Sequence, residues 1–306
     1  MSYDDIVMLK ETLQIIDQGC YEHEGKEVKL KLSDSERSEA QVYLPDRVAE
    51  ICGSRDADLA VENECVYDCA NMDSYTYARK IYAERKKEER VIKTEILVLN
   101  FANPVNPGGG VRTGARAQEE DLCRKSTLLV SLESVAAQEY YRYNRSLQSY
   151  MGSDAMILSP KVEIIRDEQG MLLAEPVIVS VLTCAAPVNS MRDRNISDDE
   201  YEKIVYQRIR YMLRFAAHSG YRELVLGAWG CGAFGNDARM VSDAFERELK
   251  KMEYNGKYPF RKVGFAVLDR LAAGYNFREF YRNFGRQSDA RPAKWPEKGV
   301  HDGNCY

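Results

Sequence analysis

The sequence predicts an α/β protein with a mixed, largely parallel sheet flanked by helices. Near-continuous apolar runs of strand length recur along its 306 residues, and amphipathic segments with helix start and stop signals lie between them. Strands of a parallel sheet are covered on both faces, so they appear as continuous apolar runs rather than as alternating ones. The alternation of such runs with helices therefore favours parallel strands.

Several segments carry this strand signal. In chain order they are DLAV (58–61), TEILVLNFAN (94–103), PVIVSVLTCAA (176–186), ELVLGAW (223–229) and KVGFAVLD (262–269). The segment AMILSPKVEIIRD (155–167) predicts one more strand, and the turn residues 167–170 after it fit a hairpin.

The predicted helices have recognisable ends. Ser197 and Glu200 form a capping-box pattern, and Gly220 ends the apolar periodicity that follows. A second helix begins after Asn236, and a third extends from Ser74 to about residue 90. A helix is also predicted in DLCRKSTLLVSLES (121–134).

These patterns divide the chain into three parts. Residues 1–57 contain an amphipathic helix and short charged or apolar stretches, and they are predicted to form an N-terminal accessory segment. Residues 58–285 hold the alternating strands and helices of the main domain. Residues 286–306 have two prolines, several charges and no periodicity, so a poorly ordered tail is expected.

Composition excludes several functional classes. The net charge of −5 argues against general nucleic-acid binding, which needs clustered basic residues, although Arg112, Arg116, Arg124 and Lys125 do gather in one region. No apolar run spans a bilayer and no secretory signal is present, so we expect a cytoplasmic protein without membrane contact. Eight cysteines and three histidines without metal-ligand spacing predict reduced thiols and no metal or other cofactor.

Ligands of open α/β sheets bind beyond the carboxyl ends of the strands, which directs attention to the loops there. One such loop contains the triplet Gly108, Gly109 and Gly110, and another, residues 230–235, precedes a helix. Glycine-rich backbone can approach phosphate oxygens, and a helix N-terminus favours an anion. A tight turn that simply requires glycine explains the triplet equally well, but the second loop favours a diphosphate site.

The second loop also matches the G-x-G-x-x-G pattern of dinucleotide-binding domains. The match is weak, because it lies near the end of the chain and no acidic residue stands at a strand end about 20 positions later. Neither glycine loop continues into Gly-Lys-Ser/Thr, which argues against a phosphate-loop ATPase. A diphosphate site without hydride or phosphoryl-transfer residues remains.

Two neighbouring carboxylates, Glu119 and Glu120, follow the glycine triplet by about ten residues. Acidic residues at a helix start are commonly explained by the helix dipole, worth ~0.3–1 kcal/mol. Near a phosphate loop, however, adjacent carboxylates raise one pKa, as a general acid requires. Spacing alone does not decide which carboxylate transfers the proton, since neighbours on a helix point about 100° apart.

Taken together, these motifs resemble the signature of poly(ADP-ribose) glycohydrolases of the microbial type. Asn103 precedes the glycine triplet by five residues, Gln118-Glu119-Glu120 follows it, and residues 227–235 resemble the second phosphate loop of that family. The resemblance covers roughly residues 58–284. It implies a macrodomain-like fold, with a cleft for ADP-ribose.

The resemblance also implies residue roles. Glu120 would be the acid/base residue, with Glu119 binding the distal ribose and Asn103 holding a ribose hydroxyl. Phe234 would shape the ribose pocket. The remaining predicted ADP-ribose contacts lie in the two loops and at the helix start: Gly108, Gly109, Gly110, Gln118, Gly230, Cys231, Gly232, Ala233 and Gly235.

The activity implied is hydrolysis of ribose–ribose O-glycosidic bonds in poly(ADP-ribose), with ADP-ribose as product. Two alternatives remain: a hydrolase that removes single ADP-ribose groups from proteins or other acceptors, and a non-catalytic ADP-ribose-binding domain. The intact Gln-Glu-Glu sequence argues against the non-catalytic domain. Oligomeric state, and cleavage at polymer ends rather than at internal bonds, are left open by the sequence.

Overall fold

The computed structural model describes residues 3–53, 56–87, 96–269 and 274–285. Nine strands lie within these ranges: β1 Cys20–His23, β2 Lys26–Lys29, β3 Gln41–Tyr43, β4 Val66–Ala70, β5 Leu97–Phe101, β6 Met156–Arg166, β7 Leu172–Cys184, β8 Glu223–Leu226 and β9 Lys262–Ala266.

Seven of these strands form one sheet in the order β3-β6-β7-β5-β8-β9-β4. The strands from β7 to β4 pair in parallel, whereas β6 pairs antiparallel with both β7 and β3. The prediction of a mixed, largely parallel sheet is therefore confirmed. Strands β1 and β2 form a separate antiparallel pair.

Helices cover both faces of the sheet. Those in the described residues are α1 Tyr3–Gln18, α2 Asp34–Arg37, α3 Pro45–Ile51, α4 Asp56–Leu59, α5 Ser74–Lys87, α6 Gln118–Lys125, α7 Leu128–Leu132, α8 Gln138–Leu147, α9 Asp198–His218, α10 Ala238–Lys251 and α11 Tyr275–Phe284. The capping box predicted at the start of α9 is present, with the Ser197 hydroxyl accepting from the Glu200 amide. The segment 121–134, predicted as helix, is divided between α6 and α7.

Alternate residues of the central strands enter two different cores. Leu97 and Leu99 of β5 pack with the buried side chains of α9, α10 and α11, whereas Val98 packs with those of α5 to α8. In β8, Leu224 and Val225 divide in the same way. Burial on both faces explains why apolar residues stand at consecutive positions of these strands rather than at every second one.

One predicted strand is wrong. Residues 58–61 do not form a strand: Asp56–Leu59 is a short helix, and the outer parallel strand is β4. A run of four residues, three of them apolar, contains too little periodicity to separate a buried helical turn from a strand. The true strand was missed because Tyr67 and Asp68 interrupt its apolar pattern.

The N-terminal segment contributes directly to the main sheet. Strand β3 pairs with β6 at the sheet edge, and the Thr12 hydroxyl of α1 donates to the Arg124 carbonyl of α6 at 2.7 Å. Arg37 of α2 lies 3.6 Å from the buried Glu163 carboxylate of β6. The domain boundary at residue 57 stays a prediction, and these contacts tie the segment closely to the sheet.

The hairpin predicted after β6 is present. Its turn is stabilised by the Asp167 carboxylate, which accepts from the Gln169 and Met171 amides at 2.9 and 2.8 Å. Earlier in β6, the pairing with β7 shifts register between Ser159 and Val162, on either side of Pro160. Such a shift is expected where proline cannot donate a hydrogen bond to the neighbouring strand.

Other predictions concern the tail, the cysteines and the membrane. The tail from 286 to 306 lies outside the described residues. The cysteines that the structure describes are free thiols. No helix within the described ranges is long and apolar enough to cross a membrane.

The close packing of Tyr77 against the backbone of Gly264 yields a stability prediction. A Cβ added to Gly264 in β9 would overlap the ring of Tyr77, a fully buried side chain whose hydroxyl donates to Asp68 at 2.8 Å. We expect Gly264→Ala to lower the unfolding free energy by about 1–3 kcal/mol, or more where the ring cannot move. Urea titration measures this loss.

Gly232→Ala is the matched control, because a Cβ there meets no atom within 4 Å. Its unfolding free energy should stay within about 0.5 kcal/mol of the wild type. Equal stabilities of the two variants would contradict the proposed packing constraint.

Candidate active site

Three loops meet at one edge of the sheet because β7, β5 and β8 are parallel neighbours. The loop after β5 holds the glycine triplet, the loop after β7 begins at Ala185, and the loop after β8 holds residues 227–237. Helix α6 begins at Gln118 and contacts β5. Sequence motifs that are far apart in the chain are therefore brought to one place.

Gln118 fastens the start of α6 to the end of β5. Its carboxamide oxygen accepts from the Phe101 amide at 2.8 Å, and its nitrogen donates to the Leu99 carbonyl at 2.8 Å and to the Ser74 hydroxyl at 3.1 Å. The Gln118 side chain thus satisfies two backbone groups near the end of β5. These bonds fix the position of the first turn of α6 relative to the strand. Its predicted role in ligand binding stays a prediction.

Glu119 is held by donors on both oxygens. The Asn103 amide donates to one oxygen at 2.7 Å, and the Asn100 side chain donates to the other at 3.2 Å. The residue is 2% exposed, and burial raises the pKa of Glu119 to about 8 despite the donors from Asn103, Asn100 and Gly108, which lower it. The charge of Glu120 adds to the rise.

Glu120 binds two backbone amides. Gly110 donates to Oε1 at 2.8 Å and Ala117 donates to Oε2 at 3.0 Å. The bond to Ala117 is the half of a capping box in which the third helical residue reaches back to the amide before the helix. The carboxylate is 7% exposed and lies between the glycine turn and the first turn of α6.

The glycine triplet is packed against these carboxylates. A Cβ on Gly109, whose φ is +59°, would overlap the Glu120 carboxylate and lie 3.2 Å from Glu119 Oε2. The Gly109 amide donates to the Asn106 carbonyl at 3.0 Å, and the Gly110 amide donates to Glu120. In this structure the triplet therefore makes room for the carboxylates and supplies their donors; its predicted contact with a diphosphate stays a prediction.

Asn103 contributes through its backbone and its side chain. Its amide serves Glu119, while its side-chain oxygen accepts from the Val105 and Asn106 amides at 2.9 Å each and so shapes the turn that leads to the triplet. The predicted contact between Asn103 and a ribose hydroxyl stays a prediction.

The loop after β8 has a different character. Its backbone is closed by bonds from Gly235 to the Gly232 carbonyl and from Asn236 to the Gly230 carbonyl, at 2.9 and 3.0 Å. The amides of Gly232, Ala233 and Phe234 donate to no acceptor within the part of the chain that the structure describes. Three consecutive amides are thus available to an anion at the tip of the loop.

The helix that follows this loop is already capped. The Asp237 carboxylate accepts from the Met240 amide at 2.9 Å at the start of α10. This cap satisfies one of the first-turn amides, and the predicted contact between the helix N-terminus and an anion stays a prediction.

A cleft of about 720 Å³ extends along this edge of the sheet. Its wall includes four of the predicted ligand residues in the β8 loop, Gly230, Gly232, Ala233 and Phe234, together with Gln118. Cys231 and Gly235 are not in the wall: the Cys231 thiol lies 3.6 Å from the Trp229 carbonyl, and a Cβ on Gly235 would face Ser190. Glu119 and Glu120 lie behind the wall, next to Ala117 and Gln118.

The basic residues near the triplet do not form a free cationic patch. Arg112 pairs with Glu133 and Lys125 pairs with Asp121, at 2.8 and 2.9 Å. Arg116 pairs with Asp5. Among the described residues, no group of three or more His, Cys, Asp or Glu side chains is placed to hold a metal ion.

Two residues that position the site, Asn100 and Trp229, carry no clear signal in the sequence. Asn100, a fully buried polar residue, links Glu119 to the Thr183 hydroxyl, and the only available signal was an amide inside an apolar strand. Trp229 is fully buried, and its indole N–H donates to the Cys184 carbonyl at 2.9 Å, which joins the β8 loop to the end of β7.

Comparison with known proteins identifies the family. The family described as microbial-type PARG, catalytic domain, matches residues 9–167. The structure of poly(ADP-ribose) glycohydrolase from Deinococcus radiodurans in complex with ADP-ribose is 33% identical, covering 84% of this chain and 98% of that one with a TM-score of 0.73. The chain belongs to the microbial-type PARG family.

A second solved member of this family, from Thermomonospora curvata, is bound to the inhibitor ADP-HPD. It is 29% identical to this chain, with a TM-score of 0.80, and the match covers 92% of this chain and 100% of the other. No curated protein matches the chain.

The raised pKa of Glu119 predicts a pH dependence of stability. The folded-state pKa of about 8 lies above the ordinary carboxyl value of 4.5, so the native state keeps a proton that the unfolded state releases between these values. Glu119 should therefore lower the unfolding free energy by about 1.4 kcal/mol for each pH unit between roughly pH 5 and pH 8. Above pH 8 its contribution should stay constant, because both states have then released the proton.

Urea titrations of the wild type and Glu119→Gln across this range measure the effect. The variant has no proton to release at this position, so its curve should lack this part of the decline. Parallel curves for the two proteins would show that Glu119 titrates normally.

Proposed function

We propose that this protein is a poly(ADP-ribose) glycohydrolase, a glycosidase that hydrolyses ribose–ribose O-glycosidic bonds and releases ADP-ribose. The observation that carries the proposal is the pair of buried carboxyl groups held by backbone amides at the start of α6, beside a cleft whose wall includes the free amides of the β8 loop. The relatives solved with ADP-ribose and with ADP-HPD support the same ligand class.

The β8 loop is the proposed diphosphate site. Amides of Gly232, Ala233 and Phe234 can donate to phosphate oxygens without a basic side chain, which suits a protein of net charge −5. Gly232 has open space where a side chain would stand, so the backbone is accessible to a ligand. The Phe234 side chain lines the same cleft, where it would shape the ribose pocket.

Glu120 is the proposed acid/base residue. It protonates the leaving ribose oxygen as the bond to the anomeric carbon breaks, and an oxocarbenium-like centre forms there. A water molecule then attacks that carbon, and Glu120 recovers its proton from the water. The donors from Gly110 and Ala117 hold the carboxylate through both steps, so one group can serve as acid and then as base.

Glu119 has a different proposed role. Its oxygens accept from Asn103 and Asn100, which hold the side chain in place, and we assign it a hydrogen bond to a hydroxyl of the distal ribose, the role that the family resemblance implies. A usual glycosidase places two carboxylates across the bond, whereas these neighbours share one side of it.

The substrate is proposed to be the polymer carried by ADP-ribosylated proteins. No cofactor is required by this chemistry, since water is the only co-reactant. The cytoplasmic location expected from the sequence is kept in the proposal and suits a chain whose described cysteines are free thiols.

Glu120→Gln tests the mechanism. The amide preserves the shape of the side chain but cannot donate and recover the proton, so kcat on poly(ADP-ribose) should fall by about 10²–10⁴ or more while ADP-ribose still binds. Product release from polymer measures turnover, and isothermal titration measures binding. Glu119→Gln is the comparison and should raise KM as well as lower kcat. Near wild-type turnover by Glu120→Gln would falsify the assignment.

Gly232→Val tests the diphosphate site. Because a side chain at this position projects into open space, the variant should fold normally but block access to the loop amides. At an ADP-ribose concentration 100 times the wild-type Kd, the wild type should gain about 2.7 kcal/mol of stability and the variant much less. Thermal unfolding with ADP-ribose, NADH and ATP measures this; a larger effect of NADH on the wild type would favour a dinucleotide-binding enzyme instead.

A further inference from the structure

Asn100 occupies an unusual position for a polar side chain. It lies in the central strand β5, is fully buried, and points one amide nitrogen at two partners, Glu119 Oε1 at 3.2 Å and the Thr183 hydroxyl at 3.1 Å. A buried amide costs free energy unless it is hydrogen-bonded, so an apolar residue would be the default in this strand. The amide must therefore be explained by what it contacts.

The other edge of the Asn100 carboxamide is unpartnered. Its oxygen is buried and receives no hydrogen bond from the described residues. Rotation of the amide by 180° would exchange oxygen and nitrogen without moving the rest of the side chain, and the nitrogen would then take the place of the unpartnered oxygen. The oxygen would then face Glu119 and Thr183, and both can donate: a hydroxyl always carries a proton, and a carboxyl group does so when protonated.

We infer that Asn100 is a positioning residue that holds Glu119 in both of its protonation states. Its nitrogen donates to the Glu119 carboxylate, and after rotation its oxygen accepts from the Glu119 carboxyl group. The Thr183 hydroxyl can bond to Asn100 in both orientations, because it accepts from the amide nitrogen in the first and donates to the amide oxygen in the second. The Glu119 side chain thus keeps one position beside Glu120 whether or not it carries a proton.

Several groups around Glu119 bear on its titration. Glu120 and Cys123 belong to the same helix as Glu119, and Tyr140 and Tyr141 of α8 interact with Glu119 electrostatically. Burial raises the pKa of both tyrosines and of Cys123 well above their ordinary values, so these three stay neutral while Glu119 titrates. On β5 and β7 the facing groups are Asn100 and Thr183, which carry no charge.

The wild-type protein without substrate provides the decisive test. NMR can follow the Glu119 carboxyl carbon and the Asn100 side-chain amide across a pH titration, with the resonances assigned from Glu119→Gln and Asn100→Leu spectra. We expect the Asn100 amide resonances to shift with the same midpoint as the Glu119 carbon. Amide resonances that stay constant through the Glu119 titration would overturn the inference.

A variant provides a second test. A hydrogen bond to a charged acceptor is stronger than one made with a neutral partner, so Asn100→Leu should raise the Glu119 midpoint by about one pH unit. Asn144→Leu is the matched control, since this buried amide bonds only to the Tyr140 carbonyl and the Ser153 hydroxyl among the described residues. It should lose stability but keep the midpoint.

These outcomes are independent of hydrolase activity. The inference rests on the proposed function only in that the function gives Glu119 its role. The titration uses no substrate, so it can fail while the hydrolase activity is present, and it can succeed where that activity is absent. An unchanged midpoint in folded Asn100→Leu would contradict the inference, and if that variant does not fold, the wild-type titration alone decides.

Discussion

The arrangement of the site depends on the burial of two neighbouring carboxylates at the first turn of one helix. Removing a carboxylate from water costs several kcal/mol unless donors replace the lost hydration. Glu119 and Glu120 therefore need N–H groups on every side, and the chain supplies them from the glycine turn, from the residue before the helix and from the end of β5. Most unusual features of the region follow from this requirement.

The glycine triplet illustrates the dependence. A side chain at Gly109 would occupy the space of the Glu120 carboxylate, and without the close approach of this turn the Gly110 amide could not reach Glu120. Gln118 also helps to place the two carboxyl groups, because its bonds to Phe101 and Leu99 hold the start of α6 against the end of β5. The sequence Gly-Gly-Gly and the sequence Gln-Glu-Glu are thus two parts of one hydrogen-bonded unit.

Much of the fold and part of the site could be predicted from the sequence. Strands β5, β7, β8 and β9 are long apolar runs, and their parallel order brings the three loops together, so the edge of the sheet that bears the site could be located in advance. The β4 strand could not, because Tyr67 and Asp68 break its pattern. The partners of each amide depend on tertiary contacts, which is why the bond from Gly110 to Glu120 and the role of Asn100 could not be predicted from the sequence.

Charge explains why backbone groups carry so much of the recognition. Basic side chains near the site are already paired with carboxylates, as in Lys125 with Asp121, and the protein is acidic overall, so an anionic ligand gains little from the general field. Amide dipoles act only at short range and keep their orientation at any pH. Free amides at Gly232, Ala233 and Phe234 can therefore hold a diphosphate at the wall of the cleft, while the amide-bound carboxyl groups lie behind the part of the wall formed by Ala117 and Gln118.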